Sequence, residues 1–219
     1  DYNPMIKANN KYLGVFSYNK IKIYNLNPPS FKLTDESSIF CGKKINYIDF
    51  NPEYPEIIMS ALNDGDVKLW NILNKEKDNK EICVFKGHSS YVNYAIFNPI
   101  ISTKVISSDD MNVKLWDINK YLHEYNVISG KNIGKLKWNI LGDKYCFIDD
   151  NYKLSVNIRE PNEHLYDIVD INKKEIKDYI FKGSREFIIF HEDRINIWDI
   201  NYLDKPIETF ENINFLSYL

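Results

Sequence analysis

Hydrophobic positions in this chain fall in short runs rich in Ile, Val, Phe and Tyr, separated by Asn, Asp, Gly and Pro. VNYAIFNP (92–99), KVISSDD (104–110), NVKLWDI (112–118) and YNVISGK (125–131) form one such series. Runs of this length and composition, bounded by turn residues, predict β-strands. The same order appears upstream in INYIDFNP (45–52), EIIMSALN (56–63), DVKLWNI (66–72) and EICVFKGH (81–88). It returns in IGKLKWNI, DKYCFIDD, KLSVNIRE and HLYDIVDI, and again in IKDYIFKG, REFIIFHE, RINIWDI and PIETFENI. Asn51-Pro52 and Asn98-Pro99 end the first strand of two series, as turn pairs do. Helical spacing is weak everywhere, and only NKYLHEYN (119–126) supports a short turn. The fold class is all-β.

The series also repeat at a fixed interval. Trp70, Trp116 and Trp198 close the related stretches DGDVKLWNI, DMNVKLWDI and DRINIWDI. The first two lie roughly 46 residues apart and the last two roughly 82, which is two units of about 41. KLSVNIRE (153–160) fills the gap with its Trp replaced, and KIKIYNL (20–26) adds an upstream unit with Tyr24 in the Trp place. A period of about 40–45 residues is that of four-stranded propeller blades. The units run approximately over 1–42, 43–88, 89–131, 132–172 and 173–214, with the start of a sixth at 215–219. Both ends read as cuts through a longer protein, within a single propeller domain or a fragment of one.

Composition narrows the function classes. With 44% hydrophobic and 15% aromatic residues, the chain has enough apolar matter for a core. A formal charge of -3 and the lack of a long basic run argue against nucleic acid as partner. No apolar run is long enough to span a bilayer, and the first residues lack the form of a signal peptide. Cys41, Cys83 and Cys146 are odd in number, far apart and set in apolar runs. They read as buried free thiols of an intracellular, cytoplasmic protein. His123, His164 and His191 fall in different units with no metal-ligand spacing. Asp149-Asp150 reads as a solvated turn, and residues 75–80 as an exposed connection of mixed charge. Phosphate-binding glycine motifs are absent. No cofactor, metal or enzymatic activity is expected.

The stretch from Gly87-His88 through SSDD to Trp116-Asp117 resembles the WD40 repeat, and the other units resemble it with decay. The resemblance implies that His88, Ser107, Asp110 and Trp116 hydrogen-bond in series as an internal lock. A buried imidazole and indole need partners, and a carboxylate in a turn is a strong acceptor. The competing reading of His88 with Asp110 as a catalytic dyad lacks a nucleophile pattern and an oxyanion-type turn beside it. In the second unit, Gly42-Lys43 stands where the third has Gly-His. In the fifth, the turn position falls on Glu192 or Asp193.

The succession of units is similar to that of coronins. A first unit with NNKYLGV precedes a CGKKINYIDFNP unit and the Gly-His unit. A Trp-less unit with Arg159 and Pro161 follows, then a unit continuing as WDINYLDKPI with Leu203 and Pro206. That similarity implies a seven-bladed ring, a cytoskeleton-associated protein that binds filamentous actin, and oligomerisation through segments outside these residues. The alternative is another WD40 scaffold, such as a coat, nuclear-pore or ubiquitin-ligase adaptor. Candidate partner contacts are Lys43, Lys44, Tyr91 and Lys131, in loops joining one unit to the next, with Arg185 in a neighbouring loop.

Overall fold

The structure is a computed structural model. It describes residues 5–26, 34–74, 80–120, 123–129, 133–149, 153–158, 166–169 and 175–211. Among these residues, twenty strands form five four-stranded antiparallel sheets, each with its strands in sequence order. The first sheet holds β1 (Met5–Ala8), β2 (Tyr12–Ser17), β3 (Lys20–Asn25) and β4 (Thr34–Phe40). The second holds β5 (Ile45–Phe50), β6 (Ile57–Leu62), β7 (Val67–Asn71) and β8 (Glu81–Phe85). The third holds β9 (Tyr94–Phe97), β10 (Lys104–Ser108), β11 (Asn112–Asp117) and β12 (His123–Ser129). A 3₁₀ turn, Ile118–Lys120, precedes β12, so the stretch at 119–126 is part turn and part strand. The fourth holds β13 (Gly134–Trp138), β14 (Lys144–Ile148), β15 (Lys153–Ile158) and β16 (Tyr166–Val169). The fifth holds β17 (Asp178–Lys182), β18 (Glu186–Phe190), β19 (Arg194–Asp199) and β20 (Glu208–Glu211).

The chain divides into two compact units, Asp1–Gly130 with the first three sheets and Lys131–Leu219 with the last two. Within each, packing follows one rule set by strand alternation. The aromatic of the third strand and its cross-strand partner face the preceding sheet, and the opposite face meets the next one. Trp70 and Ile58 of the second sheet therefore pack with Phe16, Ile21 and Ile23 of the first. Met59, Ala61, Val67 and Leu69, on the other face, pack with Ala95, Val105 and Trp116 of the third. In the second unit, Cys146, Ile148 and Leu154 of the fourth sheet pack with Tyr179, Phe187, Ile189 and Trp198 of the fifth.

The asparagines that end first strands act as turn caps. Asn51 Oδ1 accepts from the Glu53 and Tyr54 amides, and its Nδ2 donates to the Ser102 carbonyl of the neighbouring sheet. Asn98 Oδ1 accepts from Ile100 and Ile101, and Asn139 Oδ1 from Asp143 and Lys144. All three are buried. An Asn side chain can mimic a backbone turn, which is why it recurs where the chain reverses out of a strand. The residue after each Trp does related work. Asn71, Asp117 and Asp199 each accept an amide two residues on, and Asp117 also pairs with Lys104 at 2.7 Å.

Candidate functional site

The end of the sheets where crossovers meet the turns between second and third strands carries the polar chemistry. In the first unit the crossovers are stitched on both sides by backbone hydrogen bonds. Ile45 N donates to Tyr18 O in the turn of the first sheet, and Asn63 N of the second sheet donates to Lys44 O. Val92 N donates to Leu62 O of the second sheet, and Asn93 N to Ser108 O of the third. Gly65 lies in this seam with φ near +90°, and a Cβ added to it would stand 3.0 Å from the His88 carbonyl oxygen. Only a residue without a side chain fits there at no strain.

His88 lies on the second crossover and reaches into the third sheet. Its Nε2 is 2.6 Å from Ser107 Oγ, and the same oxygen accepts the Trp116 indole N–H at 2.7 Å. A serine hydroxyl can accept one proton and give its own, so Ser107 can take the indole N–H and donate to Nε2 of a neutral imidazole. The remaining ring nitrogen, Nδ1, is 3.0 Å from Asp109 Oδ2. A neutral ring that accepts at Nε2 carries its proton on Nδ1, where it faces this carboxylate. Burial pushes the His88 pKa below its ordinary value, with Asp109 pulling the other way. Burial opposes the Asp109 charge, but amides from Met111 and Asn112 and the nearby His88 outweigh it, so its pKa is lowered.

The carboxylate that meets His88 is therefore Asp109, and the assignment to Asp110 is corrected. Asp109 is fully buried and also accepts the Ser89 amide. Asp110 instead takes Asn93 Nδ2 at 2.7 Å. The physical reason is the turn. The residue directly after β10 still points into the seam, and its carboxylate closes the turn on the amides two and three residues ahead.

Other sheets keep parts of this arrangement. In the second, Trp70 Nε1 donates to Ser60 Oγ at 2.9 Å, without an imidazole. In the fifth, strand register puts Ile189 where the third sheet has Ser107, and the buried Trp198 N–H has no hydrogen-bond partner among the described residues. The same register puts His191 where the third sheet has Asp109. Its Nδ1 faces the Glu175 carbonyl at 3.1 Å, and its Nε2 faces Asn196 Nδ2 at 3.3 Å. The join is closed with polarity reversed: the turn supplies the imidazole and the crossover the acceptor. The turn residue in the register position of Asp109 is His191, rather than Glu192 or Asp193. Sequence reasoning treated His191 as isolated; its position directly after β18, matching Asp109 after β10, was the available signal.

The proposed partner contacts separate. Lys43 is exposed, Lys44 half-buried and Tyr91 60% exposed, all on crossovers of the first unit. Arg185 is exposed but sits in the turn between β17 and β18, at the opposite end of its own sheet from the incoming crossover. Lys131, with Arg159 and Pro161, lies outside the described residues. Leu203 packs on the core of the second unit, and Ile207 N donates to Ile197 O, so the WDINYLDKPI connection folds back along β19.

A separate polar contact joins the first strands of the three sheets in the first unit. Asp49 Oδ2 accepts the Phe97 amide at 3.0 Å, and Lys7 Nζ approaches Oδ1 at 3.8 Å while lying over the Tyr47 ring. Burial raises the Asp49 pKa to about 6, against the pull of Lys7 and the Phe97 amide. Among the described residues, no group of three or more His, Cys, Asp or Glu is placed to hold a metal.

Comparison with known proteins places this geometry. Residues 79–117 match the family described as WD domain, G-beta repeat. Coronin-like protein crn1 of Schizosaccharomyces pombe is 23% identical over 84% of this chain and 33% of its own length. Apoptotic protease-activating factor 1 of Rattus norvegicus is 34% identical, over 35% of this chain and 6% of its own. The crystal structure of the WD40 domain from Toxoplasma gondii coronin superposes with a TM-score of 0.75 at 18% identity, over 95% of this chain and 59% of that one. The chain thus spans less than two thirds of each of these proteins. Five sheets with the repeat's internal order, one complete His–Ser–Trp lock and a match running nearly end to end make this chain a WD40 β-propeller similar to coronin.

Proposed function

We propose that this chain is a non-catalytic protein-interaction module of coronin type that binds filamentous actin. One observation carries the reading. Similarity to coronins runs through all five sheets, whereas apoptotic protease-activating factor 1 matches over only 35% of the chain. The crossover end of the first unit supports it as the contact surface. There Lys43 and Tyr91 stand exposed on a backbone seam, and Lys43 makes no ion pair among the described residues. An exposed cation and an exposed aromatic on neighbouring crossovers suit an acidic protein surface. The His88–Asp109 pair is buried and spent on internal partners, so it serves the fold rather than chemistry. Sedimentation with preformed actin filaments tests the reading. Co-pelleting that weakens with salt is expected, and capture of coat or ubiquitin-ligase subunits without actin would favour a general WD40 scaffold instead.

A further inference from the structure

The crossover joint of the fifth sheet holds a buried imidazole whose hydrogen sits on an identifiable nitrogen. His191 is 1% exposed, and its Nδ1 faces the Glu175 carbonyl oxygen at 3.1 Å. A carbonyl can only accept, so Nδ1 carries the hydrogen and Nε2 of the neutral ring is left as an acceptor. Asn196 answers it, with Nδ2 donating to Nε2 at 3.3 Å. The other end of that carboxamide is idle. Asn196 is 3% exposed, and its Oδ1 is buried without a hydrogen-bond partner among the described residues. An unbonded buried acceptor is costly, so its presence here calls for a use. The ring also borders a cavity of about 230 Å³, lined with it by Glu175, Glu192 and Asp193, which gives a proton a route in from solvent. The crossover brings Glu175 and Lys177, paired at 2.7 Å, and the turn brings Glu192, Asp193 and Arg194, the last two paired at 3.4 Å. Asp149, directly after β14, stands at the same end of the fourth sheet. A charge gained on the ring would meet counter-charges already in place.

We propose that His191 and Asn196 form a proton-operated latch on this joint. The neutral ring holds the Glu175 carbonyl through Nδ1–H and accepts from Asn196 at Nε2. The protonated ring donates at both nitrogens, so a half-turn of the Asn196 carboxamide replaces Nδ2 by the idle Oδ1. Both contacts are then charge-assisted, and bonds of that kind are shorter and stronger. Acid thereby fastens the crossover to the turn more tightly, and with it the neighbouring bond from Lys177 N to Phe190 O. The joint of the third sheet differs, because burial opposes a charge on His88. The latch does not depend on which partner the chain binds.

Nitrogen NMR of the folded protein between about pH 8 and pH 5 tests the latch, with His191→Gln assigning the ring. At the alkaline end Nδ1 should carry a hydrogen and Nε2 none; at the acid end both should carry one while the protein stays folded. The Asn196 carboxamide resonances should move along the same curve. The Lys177 amide should exchange with solvent several-fold more slowly in the protonated state, after correction for the intrinsic rate. Asn196→Ala removes the acceptor for the second ring hydrogen, and should lower the midpoint of the ring's titration by about 0.5 pH unit or more. A ring that stays neutral until the protein unfolds would overturn the proposal. So would a titration that leaves Asn196 and Lys177 unmoved, or one with the same midpoint in Asn196→Ala. The parent titration decides the matter even if that variant fails to fold.

Discussion

Ser107 Oγ stands 2.6 Å from His88 Nε2, and that contact fastens the crossover from the second sheet onto the third. The serine is a two-way hinge: it accepts from Trp116 and gives its own proton to His88. A hydroxyl suits this position because it is both donor and acceptor.

Ser107→Ala should therefore strand two buried groups, the Trp116 N–H and His88 Nε2. At about 1–3 kcal/mol for each unsatisfied group, the loss should reach about 2–4 kcal/mol. Ser60→Ala strands the Trp70 N–H and, besides it, only the weakly bonding Cys41 thiol, and should cost about half as much. Urea midpoints at unchanged slope measure both.

The two neighbouring aspartates should separate in the same assay. Asp109→Ala removes the acceptor for the Ser89, Met111 and Asn112 amides and the partner of His88, and should cost about 2–4 kcal/mol. Asp110→Ala removes one hydrogen bond to Asn93 and should cost about 1 kcal/mol or less. Equal losses would restore Asp110 to the lock.

Two glycines with positive φ should respond differently to alanine. Gly42 has φ near +79° and nothing within 4 Å of an added Cβ, so Gly42→Ala carries only the backbone cost, about 1 kcal/mol. Gly65→Ala carries that cost plus a collision with the His88 carbonyl, and thermal melts should show it clearly the less stable.

The pH response has two opposing parts. Burial lowers the His88 pKa, so the folded state resists a proton that the unfolded chain accepts near pH 6.5. Its contribution is full above that pH and is lost as pH falls toward the lower folded value. Asp49 runs the other way. With its pKa raised to about 6, its contribution is present below pH 3.8 and is lost as pH rises through 6. Asp49→Asn should accordingly stabilise the protein at pH 7.5, by on the order of 1–3 kcal/mol, and by less at pH 4.5. Melts at the two pH values would expose a gain of equal size as a contradiction.

Much of the fold was legible because strand alternation and the Trp interval act on many residues together. Val105, Trp116 and Leu115 each had one allowed face, and the sheet order followed. The lock was legible to within one residue. SSDD offers two adjacent carboxylates, and choosing Asp109 needs the rotation of the turn, which composition does not carry. His191 was missed for a related reason: it does Asp109's job with the opposite hydrogen-bonding role, so residue type pointed away from it. Arg185 was grouped with Lys43 on charge alone, although successive antiparallel strands put first-turn and crossover residues at opposite ends. Trp138 sits on a first strand against Tyr145, outside the repeat's Trp register, and says nothing about the period.

The most direct test of the central claim is sedimentation of the folded protein with actin filaments at low ionic strength, beside a Lys43→Glu, Tyr91→Ala variant of unchanged melting temperature. The account predicts saturable pelleting of the parent and a clear loss of affinity in the variant. A parent that stays in the supernatant at every filament concentration would contradict it.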